Sequence, residues 1–90
     1  MIAEVPRISE FYGIVIEMYY GDHAPPHFHA RYGGDSAKIE IASAEVIAGA
    51  LPGRARRLVR EWVDQHRREL EDNWERAVRH EKPRSIDPLP

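Results

Sequence analysis

The strongest constraint on the fold is an uninterrupted helical pattern in the second half of the chain. Apolar residues recur at spacings of three and four from Pro52 to Arg79, and no glycine or proline follows Gly53 in this stretch. At about 100° per residue, these positions fill one arc of an α-helix. Proline suits the first turn of a helix, and Lys82-Pro83 ends it. The pattern predicts a helix over residues 52–80, roughly 40 Å long at about 1.5 Å per residue.

The first half of the chain has the composition and alternation of β-strands. β-Branched and aromatic residues, or a period of two, mark four stretches bounded by turn residues: 11–20, 27–32, 37–42 and 45–51. A meander of this kind needs one face covered, and the helix needs its apolar stripe buried. The sequence therefore predicts an α+β fold, a three- to four-stranded antiparallel β-meander with one long C-terminal amphipathic helix packed on one face.

The chain of 90 residues is predicted to form a single domain. We divide it into an N-terminal arm (1–10), the meander (11–51), the helix (52–80) and a proline-rich tail (82–90). No apolar run approaches the roughly 20 residues that cross a bilayer, and acidic residues and a proline occupy the N-terminus. We therefore expect a cytoplasmic protein without membrane association. The absence of cysteine excludes disulfides and thiolate metal sites.

A histidine-rich motif, DHAPPHFHA at residues 22–30, holds three of the five histidines. Strand alternation turns Phe28 and Ala30 toward the helix and places His27 and His29 on the opposite face of the sheet. The same face is expected to carry Arg31 and four residues of the neighbouring strands, namely Glu17, Tyr19, Lys38 and Glu40.

The expected strand registers place carboxylates beside this pair. A four-residue turn at 33–36 would set Arg31 opposite Lys38 and His29 opposite Glu40. In the first hairpin, His29 would pair with Glu17 or Tyr19.

One interpretation of the motif is a metal site. Two imidazoles one residue apart on a strand share a face, which is a known way to hold zinc. The site would comprise His27, His29 and a third ligand from the preceding loop, either His23 or Asp22, with a divalent metal such as zinc as the cofactor.

Two other interpretations need no metal. Histidines beside a carboxylate and an anion-binding arginine are the groups of metal-free phosphodiester cleavage, which would make His27, His29, Arg31 and Glu40 the catalytic residues of a small ribonuclease or phosphodiesterase. Alternatively, the prolines rigidify a loop and the histidines are structural residues bonded to neighbouring carboxylates.

Two polar residues interrupt the apolar arc of the helix. A buried polar side chain must find hydrogen bonds or cost about 1–3 kcal/mol. His66 and Asn73 are therefore expected to tie the helix to the strand loops or the tail. The functional alternative is that His66 reaches the histidine-rich motif and completes one site with it.

The predicted helix begins with a cluster of positive charge, formed by Arg54, Arg56, Arg57 and Arg60. The helix dipole disfavours cations at this end. The cluster is either an exposed, salt-bridged face or a binding patch for an acidic protein partner or for RNA. A net charge of −2 argues against a general nucleic-acid binder.

Several motifs together resemble a known family. The FYGI strand, the DHAPPHFHA segment and the helix pattern EW…H…EL…NW are similar to the small bacterial proteins of domain-of-unknown-function family 4160. The resemblance carries no established activity. It implies a small protein partner encoded nearby, in an arrangement like a toxin–antitoxin pair. The chain would then be an interaction component of a two-gene regulatory module, and a homo-oligomer through a sheet edge stays open. The family motif coincides with the residues singled out above, namely His23, Pro25, Pro26, His27, His29 and His66.

Overall fold

The computed structural model describes residues 5–90. One antiparallel sheet in the order β1-β2-β3-β4-β5 precedes a single helix. The elements are β1 (Arg7–Phe11), β2 (Ile14–Glu17), β3 (His27–Tyr32), β4 (Asp35–Glu40), β5 (Val46–Gly49) and α1 (Gly53–Val78). The α+β prediction is confirmed, as are the meander and the long C-terminal helix. The sheet has five strands, one more than the largest number expected.

The additional strand arises at a turn that the sequence pattern does not reveal. Tyr12 and Gly13 have φ of 51° and 81° and form a two-residue hairpin between β1 and β2. Positive φ at both positions is the type I′ geometry that suits the twist of a hairpin. Tyrosine lacks the usual Asn-Gly signature, so residues 11–20 look like one strand. Residues 7–10, assigned to the arm, belong to β1, and residues 1–4 of the predicted arm lie outside the described residues.

The second hairpin is tighter than predicted, and its register differs. Gly33 and Gly34 alone connect β3 and β4, and φ of 58° at Gly33 fits a type II′ turn. The predicted pairings of Arg31 with Lys38 and of His29 with Glu40 are therefore wrong by two residues, because the turn has two residues instead of four. The observed Cα partners are Arg31 with Ser36, His29 with Lys38, and His27 with Glu40. The predicted pairing of His29 with Glu17 is confirmed.

The helix packs on the inner face of the sheet, as the strand alternation predicts. Trp62 is fully buried, and its ring lies 5.7 Å from Phe28 and 5.3 Å from Phe11, centroid to centroid. Each such side chain contributes about 1.5–3 kcal/mol when fully buried. The strands and the residues that directly follow them supply further buried residues to the same core, namely Ile8, Ile14, Ile16, Met18, Ala30, Ile39 and Ile41.

The proline-rich tail is part of the folded domain. Ile86 and Leu89 are buried in the core, and the Ile86 N–H donates to the Ile8 carbonyl over 2.7 Å. The tail therefore covers the outer edge of β1. Asn73, which is 2% exposed, holds the tail through two hydrogen bonds of 2.8 Å with the backbone N–H and carbonyl of Arg84. The prediction that Asn73 ties the helix to the tail is confirmed.

The helix is kinked at His66, where φ is −130° and ψ is 20°. The helix ends at Val78, and His80 just beyond it has φ of 59°, while the Glu81 N–H donates to the Arg76 carbonyl, as in a Schellman motif. Within residues 5–90, this helix is too polar to span a membrane.

Candidate metal centre

The loop between β2 and β3 is held against the helix and the sheet by backbone hydrogen bonds. The Gly21 N–H donates to the Ala77 carbonyl over 3.0 Å, and the Ile41 N–H donates to the Pro26 carbonyl over 3.1 Å. These contacts fix the loop just before Asp22 and again at Pro26, immediately before β3. They bring Asp22, at the start of the segment, back toward the histidines of β3.

Three side chains converge at this point: Asp22, His27 and His29. The Oδ2 atom of Asp22 lies 2.9 Å from Nε2 of His27 and 3.3 Å from Nε2 of His29. One oxygen or nitrogen of each residue lies within 4.8 Å of the other two. We refer to these residues as the Asp-His-His cluster.

The contacts of His27 determine its orientation. Nδ1 lies 2.7 Å from the Pro25 carbonyl, which only accepts hydrogen bonds, so Nδ1 carries a proton. A neutral imidazole has one N–H, yet Nε2 also faces an acceptor, the Asp22 carboxylate. The arrangement is complete only when a positive charge, either a second proton or a metal ion, lies at Nε2. His27 is 4% exposed, and the centroid of the Trp74 ring lies 5.3 Å from that of its imidazole. Solvent water therefore does not provide the missing hydrogen-bond partner at Nε2.

His29 has a different environment. The Tyr19 ring stacks on it with centroids 3.9 Å apart and planes 12° apart. Burial lowers the pKa of His29, and the charges of His27 and Lys38 act in the same direction, which together outweigh the Asp22 contact. His29 is therefore an uncharged imidazole near neutral pH.

The Asp22 carboxylate stays ionised. Burial acts to raise its pKa, but hydrogen bonds from the His23 backbone N–H, His29 and His27 lower it overall. The cluster thus offers a carboxylate oxygen together with imidazole nitrogens.

The geometry of the cluster fits a metal ion. Ligand atoms about 2.0–2.1 Å from a tetrahedral zinc ion are about 3.4 Å from one another. The two separations from Asp22, 2.9 and 3.3 Å, are close to this value, and all three ligand atoms lie within 4.8 Å of one another. The Pro25 carbonyl accepts from Nδ1 of His27 in the way that outer groups usually orient a ligating histidine.

His23 does not join the cluster. Its side chain is exposed, and only its backbone N–H contributes, by donating to Oδ1 of Asp22 over 2.8 Å. Of the two loop residues considered as third ligand, the structure places Asp22 beside the histidine pair. Whether Asp22 or His23 lies beside the pair depends on the path of the loop, which the periodicity of the sequence does not predict.

The predicted acid/base residues Arg31 and Glu40 have other partners. Arg31 binds the nearly buried Glu17 through Nε (2.9 Å) and Nη2 (3.1 Å), and these hydrogen bonds raise the pKa of Arg31. Glu40 accepts a hydrogen bond from the Ser43 hydroxyl over 2.5 Å. Glu40 is the cross-strand partner of His27, but the hydrogen bonds of Arg31 and Glu40 go to Glu17 and Ser43 instead of to the histidines.

His66 does not reach the cluster either. Its Nδ1 lies 2.7 Å from a carboxylate oxygen of Glu69, and its ring packs beside Trp62. Trp74, which touches His27, lies two helical turns further along, or about 12 Å. The hydrogen bond and the ring contact of His66 are both with residues of its own helix, so His66, unlike Asn73, does not bond to the strand loops or the tail in residues 5–90.

The arginines at the start of α1 border a second surface feature. A groove of about 500 Å³ is lined by Arg56, Arg57, Arg60 and residues 44–46. We call it the arginine groove. Arg60 Nη2 lies 2.7 Å from Oε1 of Glu45 at its rim. Arg54 is exposed but lies outside the groove.

Comparison with known proteins assigns the family. A family model described as a domain of unknown function, DUF4160, matches residues 13–75. The chain belongs to the DUF4160 family. The DUF4160 match includes β2, the whole Asp-His-His cluster and most of α1, which confirms the resemblance drawn from the motifs. No curated protein and no solved structure matches the chain.

Sequence reasoning missed three neighbours of the cluster. One is Trp74 of the helix, whose ring lies 5.3 Å from His27, although alternation was expected to turn His27 away from the helix. Tyr19, which stacks on His29, was considered only as a strand partner, and the Pro25 carbonyl was not considered. A backbone carbonyl leaves no signal in a sequence. The aromatic residues just before the motif were the only signal that could have indicated the stack.

Proposed function

We propose that this protein binds a divalent transition metal, with zinc as the first candidate, through Asp22, His27 and His29. The observation that carries the proposal is that both Nε2 atoms face the same carboxylate oxygen while Nδ1 of His27 is already bonded to a carbonyl. Two imidazoles and a carboxylate suit zinc, iron and related ions.

Three protein ligands leave at least one position open, where a bound metal acts as a Lewis acid and activates water for hydrolysis. A hollow of about 180 Å³ beside His29 gives room for a small ligand. Lys38 lines the hollow and has no ion pair within residues 5–90. Its positive charge would therefore attract an anionic substrate to the hollow. Metal-assisted phosphodiester hydrolysis is therefore the reaction class that we infer, in place of the metal-free version.

The proposal is tested with untagged protein by elemental analysis and zinc titration calorimetry. We expect about one equivalent of metal per chain in the wild type and none in Asp22→Asn. The matched control is His23→Ala, which removes an exposed neighbouring histidine and should bind zinc as the wild type does. Less than a tenth of an equivalent in the wild type, together with no heat on zinc addition, would overturn the proposal.

We infer a second role as the interaction component of a two-gene regulatory or toxin–antitoxin-like module in the bacterial cytoplasm. The support is the exposed arginine groove beside a sheet edge, a surface that the metal site does not use. Co-expression with the product of the neighbouring gene tests this role. We expect a complex that survives size-exclusion chromatography, and separate elution of the two proteins would contradict it.

A further inference from the structure

We propose that the arginine groove binds an acidic, extended segment of a partner protein. This inference rests on the interaction role proposed above and names the surface and the chemistry of the partner.

Two of the three arginines of the groove have no ion-pair partner in the described part of the fold. Arg56 and Arg57 are exposed and form no ion pair within the described residues 5–90. They lie in the first two turns of α1, where the helix dipole disfavours a positive charge. These two positive charges destabilise the helix at their own positions and have no acidic partner in the described residues. We therefore infer that they bind an acidic group of another molecule.

The groove already shows how it holds a carboxylate. Oε1 of Glu45 lies 2.7 Å from Nη2 of Arg60, with both side chains more than half exposed. An exposed ion pair of this kind contributes little to stability and exchanges readily. A carboxylate of a partner can therefore take the place of Glu45 while Arg56 and Arg57 bind further acidic groups.

The adjoining strand supplies an edge that nothing in the described part of the chain covers. The tail covers the outer edge of β1, whereas β5 is the last strand of the sheet and pairs only with β4. Ile47 on this strand is 43% exposed. The register shift between Lys38 and Ile39 interrupts a regular ladder here. An extended segment is therefore held mainly by its acidic side chains, with apolar contact at Ile47.

The lining of the groove favours a protein over a nucleic acid. Apart from its arginines, the groove is lined by Ala44, Glu45 and Val46, so it offers no aromatic ring on which a base could stack. An acidic peptide can displace Glu45 and keep the same contact with Arg60.

The experiment uses a fluorescent peptide that alternates glutamate and valine, with a glutamine–valine peptide as the neutral probe. Anisotropy titrations compare the wild type, the double variant Arg56→Gln/Arg57→Gln and the matched control Arg54→Gln, which changes an exposed arginine of the same helix outside the groove. We expect wild-type binding of the acidic peptide that weakens with salt. The double variant should lose about five- to tenfold in affinity, and Arg54→Gln less than about twofold.

Three results would overturn the inference: no binding of the acidic peptide, equal binding by the double variant, or stronger binding of single-stranded RNA than of the peptide. Circular dichroism of each variant excludes a loss of helix as the cause. If the neighbouring gene product still co-purifies after any of these results, the interaction role stands and only the groove assignment fails. If no complex forms at all, the interaction role itself fails.

Discussion

Asn73 and His27 are equally buried polar side chains whose hydrogen bonds have opposite consequences. Asn73 is 2% exposed, and its amide donates to and accepts from the backbone of Arg84. Every contact joins a donor to an acceptor, so the group is complete within the fold. His27 is 4% exposed, but both of its ring nitrogens face oxygen atoms that accept.

Under the proposed function, this difference separates a structural polar group, Asn73, from a metal ligand, His27. A completed buried hydrogen-bond pair stabilises the protein by itself. A buried imidazole that faces two acceptors requires a positive charge at Nε2, either a second proton or the metal ion of the proposed site. The comparison therefore yields predictions in which metal affinity and stability respond to different residues.

The largest expected effect is on metal affinity. His27→Ala removes a ligand, so zinc affinity should fall by more than about 100-fold, beyond the loss that outer groups usually cause. The stabilisation that excess zinc gives to the wild type should disappear with it. Titration calorimetry and zinc-dependent melting measure both quantities. Asn73→Ala is the control. A comparable loss of zinc affinity in this variant would show that the effect of His27→Ala is not specific to a metal ligand.

The second prediction is that the stability of the metal-free protein depends on Asn73, which does not bind the metal. Asn73→Ala leaves the Arg84 N–H and carbonyl without their partners, and the free energy of unfolding should fall by about 1–3 kcal/mol with or without zinc. Urea denaturation measures this change. The exposed neighbour Asp72→Ala is the control and should change stability by less than about 0.5 kcal/mol. An equally small effect of Asn73→Ala would show that the tail is not held by this side chain.

The metal-free protein should lose stability on acidification in two steps. Burial lowers the pKa of His29 below its usual 6.5, so between the folded and unfolded values the unfolded chain binds more protons. This contribution is fully present above about pH 6.5 and is lost as the pH falls through the folded pKa. The lowered pKa of Asp22 adds a second loss below 3.8. Denaturation across pH with a chelator should show the first step in the wild type, and the step should be absent in His29→Gln.

The smallest effect is expected at Arg31. Because its guanidinium binds Glu17 and not the cluster, Arg31→Gln should change zinc affinity by less than about threefold, well below the usual effect of an orienting group. Calorimetry run beside the His27 variant provides the measurement. A tenfold loss of zinc affinity would indicate that Arg31 and the Asp-His-His cluster belong to one site.

Much of the fold follows from periodicity in the sequence. The apolar spacing after Pro52 predicts α1 to within two residues, and the alternation around Phe28 places the histidines on the correct strand. The same patterns could not predict the turns. Tyr12 adopts a positive φ that tyrosine rarely takes, and two glycines close the second hairpin where a four-residue turn was expected.

The site was predictable only in part, because periodicity in the sequence predicts strands and their faces but not the path of a loop. The pair His27 and His29 follows from strand alternation, because residues two apart share a face. Asp22 reaches the pair through a loop whose path depends on tertiary hydrogen bonds such as that between Gly21 and Ala77. Alternation also predicted correctly that Arg31 shares a face with Glu17, but not that the two would bind each other.

The most direct test of the account is the state of the two ring nitrogens of His27, measured by ¹⁵N NMR during a zinc titration of the untagged protein. We predict that Nδ1 keeps its proton, which is donated to the Pro25 carbonyl, and that Nε2 takes the chemical shift of a metal-bound nitrogen at one equivalent of zinc. An Nε2 that stays protonated when zinc is in excess would contradict the central claim that His27 is positioned as a metal ligand.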